Sequence, residues 1–136
     1  MEITVSTQQG AVGVTIVQPH GDVDASNYAQ LVTKVEALKK EGAKDFLIDL
    51  SEVPFMSSAG LVALHSIAIL LRGEKPVDPQ AGWATLKSID RSRSSGMQKH
   101  VKLLQPQTYV ADTLEKAGFN TFFEIHSDLK QAVASF

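Results

Sequence analysis

The chain has 136 residues, a formal net charge of −2 and no cysteine. This length suits a single domain with its own apolar core, and the near-neutral charge argues against nucleic-acid binding. The absence of cysteine excludes disulfides, thiolate metal sites and a cysteine nucleophile. The N-terminus lacks the apolar core of a signal peptide, and the apolar run 61–71 is much shorter than the roughly 20 residues of a membrane span. We therefore expect a cytoplasmic protein that does not insert into a membrane.

Two strands are predicted at the start of the chain. Apolar and polar residues alternate at 3–5 and again at 12–16, and a turn is indicated at Gln9 and Gly10. This pattern predicts an antiparallel hairpin. A further short strand is expected around residues 20–23.

Two helices are predicted on either side of a short central strand. In the first helix, one face carries the apolar residues Tyr28, Leu31, Val32, Val35 and Leu38. Asp24 or Ser26 can cap its start, and Gly42 follows its end. The run "DFLIDL" at 45–50 is typical of a strand covered on both faces. Residues 61–71 are apolar nearly all round, which predicts a buried second helix.

The second half of the sequence alternates strands and helices. "HVKLLQ" and "TFFEI" are predicted strands, "TYVADTLEKAGF" is a predicted helix, and "SDLKQAVASF" is a last helix capped by Ser127. The order predicts an α/β fold in one domain, 1–136. An N-terminal β-hairpin is followed by alternating strand–helix units, with helices packed on a mixed sheet of four to five strands.

An insert at about 74–98 separates the second helix from the following strand. Its ends are rich in Pro, Gly and Ser, and its middle has rough helical spacing. A short helix between two linkers and a surface loop are both compatible with this composition.

The stretch "PFMSSAGLVAL" at 54–64 places two serines, Ser57 and Ser58, between a buried strand and a buried helix. A nucleophilic serine needs a general base within hydrogen-bond reach. The nearest histidine in sequence, His65, lies about 12 Å further along a helix, and no G-x-S-x-G elbow is present. The histidines are scattered, and there is no phosphate-binding glycine motif. We therefore expect no enzyme activity, no bound metal and no cofactor.

A helix start offers unpaired N–H groups and the positive end of the helix dipole. A serine hydroxyl there can cap the helix, and a phosphate on the same hydroxyl would be stabilised by the same groups. The residues alone leave both interpretations open. Asp22 and Asp24, two residues apart, suit either a cation or a helix cap.

"GDVD" before the first helix, "FLIDLSEVPFMSSAGLVAL" and the closing β-α-β-α order resemble the STAS domain. That family includes anti-sigma factor antagonists of bacterial transcription regulation. The resemblance implies partner switching, in which the unmodified domain binds a serine-kinase anti-sigma factor or an equivalent switch kinase. Phosphorylation of a serine at the start of the second helix separates the complex, and a metal-dependent serine phosphatase restores the unmodified form.

The family motif D-S-S-x-G-L, with its first serine modified, assigns the phosphorylation site to Ser57, with Ser58 as second choice. Met56 stands where the motif often has aspartate, and Asp24 matches the acid of a G-x-x-D stretch beside the phosphorylation loop. The resemblance implies a partner-binding surface formed by Asp24, Met56, Ser58, Ala59, Gly60 and Leu61. In the insert, Trp83 is a candidate further contact.

STAS-like domains also serve as accessory subunits of lipid-transport ABC complexes. In that alternative, the two serines only cap the helix, and replacement of Ser57 by alanine would leave the function intact.

Overall fold

The computed structural model of the protein describes residues 1–73, 97–121 and 123–136. The strands are β1 (Glu2–Gln9), β2 (Gly13–His20), β3 (Asp45–Asp49), β4 (Val101–Leu104) and β5 (Ile125–His126). The helices are α1 (Tyr28–Lys40), α2 (Ser58–Leu71), α3 (Thr108–Lys116) and α4 (Leu129–Ala134), with a 3-10 turn at Phe119–Thr121. The five strands form one sheet in chain order. β1 and β2 are antiparallel, and the remaining neighbours are parallel, which confirms the predicted mixed sheet and hairpin.

Both faces of the sheet are covered, by different helices. Side chains alternate along β3, so that Phe46 and Ile48 join the core under α1, α2 and α3. Leu47 faces the other way, where Ala132 and Val133 of α4 cover it. The prediction that this central strand is buried on both faces is therefore confirmed.

The two long helices pack on the core, although Tyr28, Val32 and Leu38 of the predicted α1 face are only partly buried. α1 packs through Leu31 and Val35, and Gly42 adopts a φ of 110° just after the helix ends. In α2 nearly every side chain after the first turn is buried, including His65. The N-cap of α1 is Asn27, so the predicted caps were wrong.

Three local predictions near strand ends were also wrong. The expected strand at 20–23 is reduced to a single bridge at Val23. The "TFFEI" strand shrinks to β5, because a 3-10 turn occupies Phe119–Thr121 and Phe123 N donates to Phe119 O at 2.9 Å. The two phenylalanine rings stack with centroids 5.8 Å apart. Extended backbone would hold residues four apart much further from each other. α4 is capped by Asp128, whose Oδ2 accepts a hydrogen bond from Gln131 N at 3.0 Å, and not by Ser127.

A buried lysine ties the last helix to the sheet. Lys102 Nζ, on β4, donates to Ser135 O at 2.8 Å and to Ser135 Oγ at 2.9 Å. It also pairs with Glu124 Oε2 at 3.0 Å and lies 4.8 Å from the ring centroid of Phe136. The hydrogen bond from Lys102 is the main cause that lowers the pKa of Glu124.

The predicted insert, except for its last two residues, lies outside the described residues, and so does Trp83. The residues on either side of the insert lie near the start of β4, since Leu71 and Arg72 line a surface cavity together with residues 97–101. The serine pair lies at the other edge of the sheet, because α2 runs back along the sheet from Ser58. Within the described ranges, no helix has the length and apolar character needed to cross a membrane.

Candidate functional site at the start of helix α2

The loops that follow β2 and β3 are joined by a parallel bridge between Val23 and Met56. Val23 N donates to Phe55 O at 3.0 Å, and Ser57 N donates to Val23 O at 3.0 Å. A further bond, from Gly21 N to Glu52 O at 2.9 Å, extends the contact toward the sheet. The loop that carries Asp24 is therefore held directly beside the serine pair, as the family resemblance implied.

Gly60 allows the first turn of α2 to pack onto this bridge. A Cβ at this position would overlap Met56 Cγ and would lie 3.0 Å from Val23 O. Gly60 is itself buried, so its small size serves packing within the chain. That Gly60 also contacts a partner stays a prediction.

Met56 is also not a surface residue. Only 2% of it is exposed, and it belongs to the core under α1 and α2. A charged side chain at this position would be buried, at a large cost in desolvation. The N-cap of α2, which is Ser57, is instead a position where aspartate is among the favoured residues.

The two serines differ in their surroundings. Ser57 has the extended backbone of an N-cap, with φ −84° and ψ 178°, but its side chain makes no capping hydrogen bond. Its Oγ is enclosed and has no hydrogen-bond partner in the part of the chain that the structure describes. Ser58 is the first residue of α2 and is exposed to solvent. Among the described residues, the Ser57 side chain therefore neither makes a capping bond to α2 nor contacts a general base.

Asp24 presents a fixed carboxylate next to this turn. Its Oδ1 accepts hydrogen bonds from Ser26 Oγ at 2.6 Å and from Ser26 N at 2.9 Å. These bonds, the side-chain one first, lower the pKa of Asp24, so the carboxylate is ionised at neutral pH. Asn27 closes the loop by accepting from Asp24 N at 3.0 Å and donating to Asp22 O at 2.8 Å.

A cation site at Asp22 and Asp24 finds no support. Among the described residues, no group of three or more His, Asp or Glu side chains is placed to hold a metal ion. The carboxylate of Asp24 is instead engaged by Ser26, which rigidifies the loop.

Two exposed aromatic residues beside the serine turn were not predicted from the sequence. Phe55 and Tyr109 are 37% and 56% exposed, and their ring centroids lie 5.6 Å apart. The start of α3, which carries Tyr109, is tied to the loop after β3 by a bond from Gln107 Nε2 to Ser51 O at 2.8 Å. The signal available in the sequence was that Tyr109 lies off the buried stripe formed by Val110 and Leu114.

Three solved structures are similar to this chain over nearly its whole length. A protein from Mycobacterium paratuberculosis, described as an anti-sigma factor antagonist, is 18% identical to this chain with a TM-score of 0.65. The match covers 98% of this chain and 93% of the Mycobacterium chain. A Thermotoga maritima protein, provisionally assigned as an anti-sigma factor antagonist, is 18% identical with a TM-score of 0.63 and coverages of 96% and 90%. The Bacillus cell fate determinant SpoIIAA in its phosphorylated form is 12% identical with a TM-score of 0.53 and coverages of 97% and 96%.

At these identities the structural matches establish the fold alone. Curated proteins provide no match to the chain. The family model of the STAS domain matches residues 3–75, which is more than half of the 136 residues. The matched segment includes β1 to α2, with both the Asp24 loop and the serine pair. This protein belongs to the STAS domain family.

Proposed function

We propose that this protein is a partner-switching regulator of the anti-sigma factor antagonist kind, without catalysis of its own. Its unmodified form binds a serine-kinase anti-sigma factor, or an equivalent switch kinase, in the bacterial cytoplasm. Phosphorylation at the start of α2 ends that contact, and a metal-dependent serine phosphatase reverses it. The observation that supports this proposal is an exposed serine, Ser58, on a helix start braced by the Val23–Met56 bridge.

The structure bears on which serine accepts the phosphoryl group. A kinase must bring the acceptor hydroxyl in line with its nucleotide, and the enclosed Oγ of Ser57 would first have to rotate outward. The family motif has an aspartate directly before the modified serine. Met56 is buried, so its position suits an aspartate less well than the N-cap position of Ser57 does. If Ser57 takes the place of that aspartate, the modified serine is the next residue, Ser58. We therefore propose Ser58 as the acceptor, ahead of the Ser57 assignment taken from the motif.

The charge of a phosphate at this position accounts for release. The loops at this edge of the sheet, residues 21–27, 50–57, 105–107 and 127–128, contain four carboxylates and no Lys or Arg. The N–H groups of the first turn of α2 can support the phosphate, but no basic side chain of these loops neutralises it. A charge left unpaired in a desolvated contact costs several kcal/mol, and about 1.4 kcal/mol already lowers affinity tenfold.

To test this, the purified chain is incubated with ATP and each switch-type serine kinase of the source genome. Mass spectrometry then identifies the phosphorylated residue. We expect one phosphate on wild type and on Ser57→Ala, and none on Ser58→Ala. The reverse pattern would return the site to Ser57. The absence of phosphate from both serines with every kinase would overturn the proposal.

The accessory-subunit alternative receives less support. It gives the serines only a capping role, yet Ser57 makes no capping bond within the described chain and its hydroxyl is enclosed. The identity of the neighbouring genes distinguishes the partner switch from the accessory subunit at little cost. A kinase and a phosphatase next to this gene favour the switch, whereas a permease and an ATPase favour the subunit.

A further inference from the structure

We propose that the Phe55–Tyr109 pair is the apolar anchor by which the protein partner covering Ser58 is held. This inference rests on the proposed function and adds to it the residues that set the affinity of the contact. The partner it fits is a protein surface that places an apolar side chain over the two rings, with basic residues around it.

Both rings are partly exposed, and neither belongs to the apolar core clusters of the described residues. Within the described chain, five large hydrophobic residues are exposed, and the two aromatic ones among them contact each other. They belong to elements far apart in sequence, the loop after β3 and the first turn of α3. A monomer gains little from an exposed ring pair, whereas aromatic side chains are enriched among the residues that dominate binding at interfaces.

The pair adjoins the serine turn and is held rigidly. Phe55 lies two positions before Ser57, and its carbonyl oxygen accepts the bond from Val23 N that begins the bridge. Tyr109 is fixed through the bond from Gln107 to Ser51. A surface ordered before binding loses little conformational freedom on association, which favours tight contact. A partner that lies over Ser58 and reaches toward α3 therefore meets the rings in a preformed arrangement.

The surrounding charge indicates the chemistry of that partner. Asp22, Asp24, Glu52 and Asp128 lie in the loops of this edge, and no Lys or Arg occurs in those loops. A basic partner surface is complementary to them. Charges at the rim of an interface chiefly set the association rate, whereas groups in the desolvated centre set the dissociation rate. The rim can therefore attract a basic partner while a phosphate at the centre still speeds its release.

The test measures binding kinetics of the kinase found to phosphorylate the serine pair, on immobilised wild-type and variant chains. Phe55→Ala and Tyr109→Ala are compared with Val12→Ala, which removes a 39% exposed apolar residue at the hairpin on the opposite edge of the sheet. We expect the double variant to raise the dissociation rate at least about tenfold, and Val12→Ala to leave it within about twofold. Tyr109→Phe keeps the ring and should retain wild-type binding.

Thermal unfolding of each variant separates binding from folding. We expect midpoints close to wild type, because both rings are exposed. Dissociation within about twofold of wild type for the folded double variant would overturn the inference while leaving the phosphorylation switch intact. A chain that no switch kinase binds or modifies would overturn both. An association rate that falls with added salt supports the basic partner surface, and a rate that rises contradicts it.

Discussion

Gly60 and Met56 pack against each other so closely that a Cβ on Gly60 would overlap Met56 Cγ. The same Cβ would lie 3.0 Å from Val23 O, which accepts the hydrogen bond from Ser57 N. The packing of this glycine therefore controls how α2 meets the bridge beneath the serine pair.

Replacement of Gly60 by alanine should destabilise the fold. We expect Gly60→Ala to lower the free energy of unfolding by about 1–3 kcal/mol, because the added methyl group overpacks a buried contact. Urea denaturation followed by circular dichroism measures the loss. The matched control is Gly13→Ala on β2, where an added Cβ meets only Gln9 Oε1 at 3.5 Å, and no loss is expected. Equal stability of both variants would contradict the packing role of Gly60.

The position that suits an acidic residue can be tested by two aspartate variants. We expect Met56→Asp to lower the free energy of unfolding by at least about 3 kcal/mol, because it buries a carboxylate. Ser57→Asp should leave stability unchanged or raise it, since aspartate favours N-caps and the helix dipole. Burial raises the pKa of the introduced carboxyl in Met56→Asp, so its deficit should shrink as the pH falls toward about 4. Equal urea midpoints for the two variants would contradict this assignment.

Removal of the Ser57 hydroxyl should cost little. A serine N-cap normally contributes about 1 kcal/mol, but the Oγ of Ser57 is enclosed without a partner among the described residues. We therefore expect Ser57→Ala to change the free energy of unfolding by less than about 0.5 kcal/mol. Asp128→Ala, which removes a capping bond to Gln131 N, serves as the comparison and should lose about 1 kcal/mol. A larger loss for Ser57→Ala than for Asp128→Ala would show that Ser57 does cap α2.

The Lys102–Glu124 pair should make stability depend on acid pH. The pKa of Glu124 is lowered from its ordinary 4.5, first by the hydrogen bond from Lys102. Its contribution is therefore present above about pH 4.5 and is lost as the pH falls through the lower value of the folded state. The Glu124 side chain is 37% exposed, so solvent screening limits the contribution to about 1 kcal/mol or less.

Denaturation of wild type and Glu124→Gln between about pH 7 and pH 3 measures this contribution. We expect the difference in unfolding free energy between them to be largest near neutral pH and to vanish at the acid end. Asp112→Asn, which breaks the exposed pair with Lys116, should have a smaller effect. A constant difference across the range would exclude ionisation of Glu124 as its cause.

The apolar patterns of the sequence were sufficient to predict the fold. Leu31 and Val35 on α1, and the alternation through β3, are set by local spacing and by burial, which a single sequence displays directly. The errors occurred at element ends. There, a single contact decides the boundary. Examples are the capping hydrogen bond to Asp128 and the stacking of Phe119 on Phe123.

The resemblance placed the Asp24 loop beside the serine pair, which the bridge between Val23 and Met56 confirms, but it did not predict the packing of the turn. Moving the start of α2 by one residue would change which serine is enclosed, and the sequence alone does not determine that start. Phe55 and Tyr109 contact each other only through the folded sheet, so no local pattern could pair them.

The bridge between Val23 and Met56 has a consequence for genetics. It joins two stretches of sequence that are widely separated. We therefore expect a substitution in either stretch to disturb the start of both α1 and α2. A random screen for mutants that fail to be modified should therefore recover two clusters, one around residue 23 and one around residues 56–60. Substitutions in the first cluster would alter no serine and yet produce the same phenotype. A second substitution that restores modification to a mutant of one cluster should be found in the other cluster.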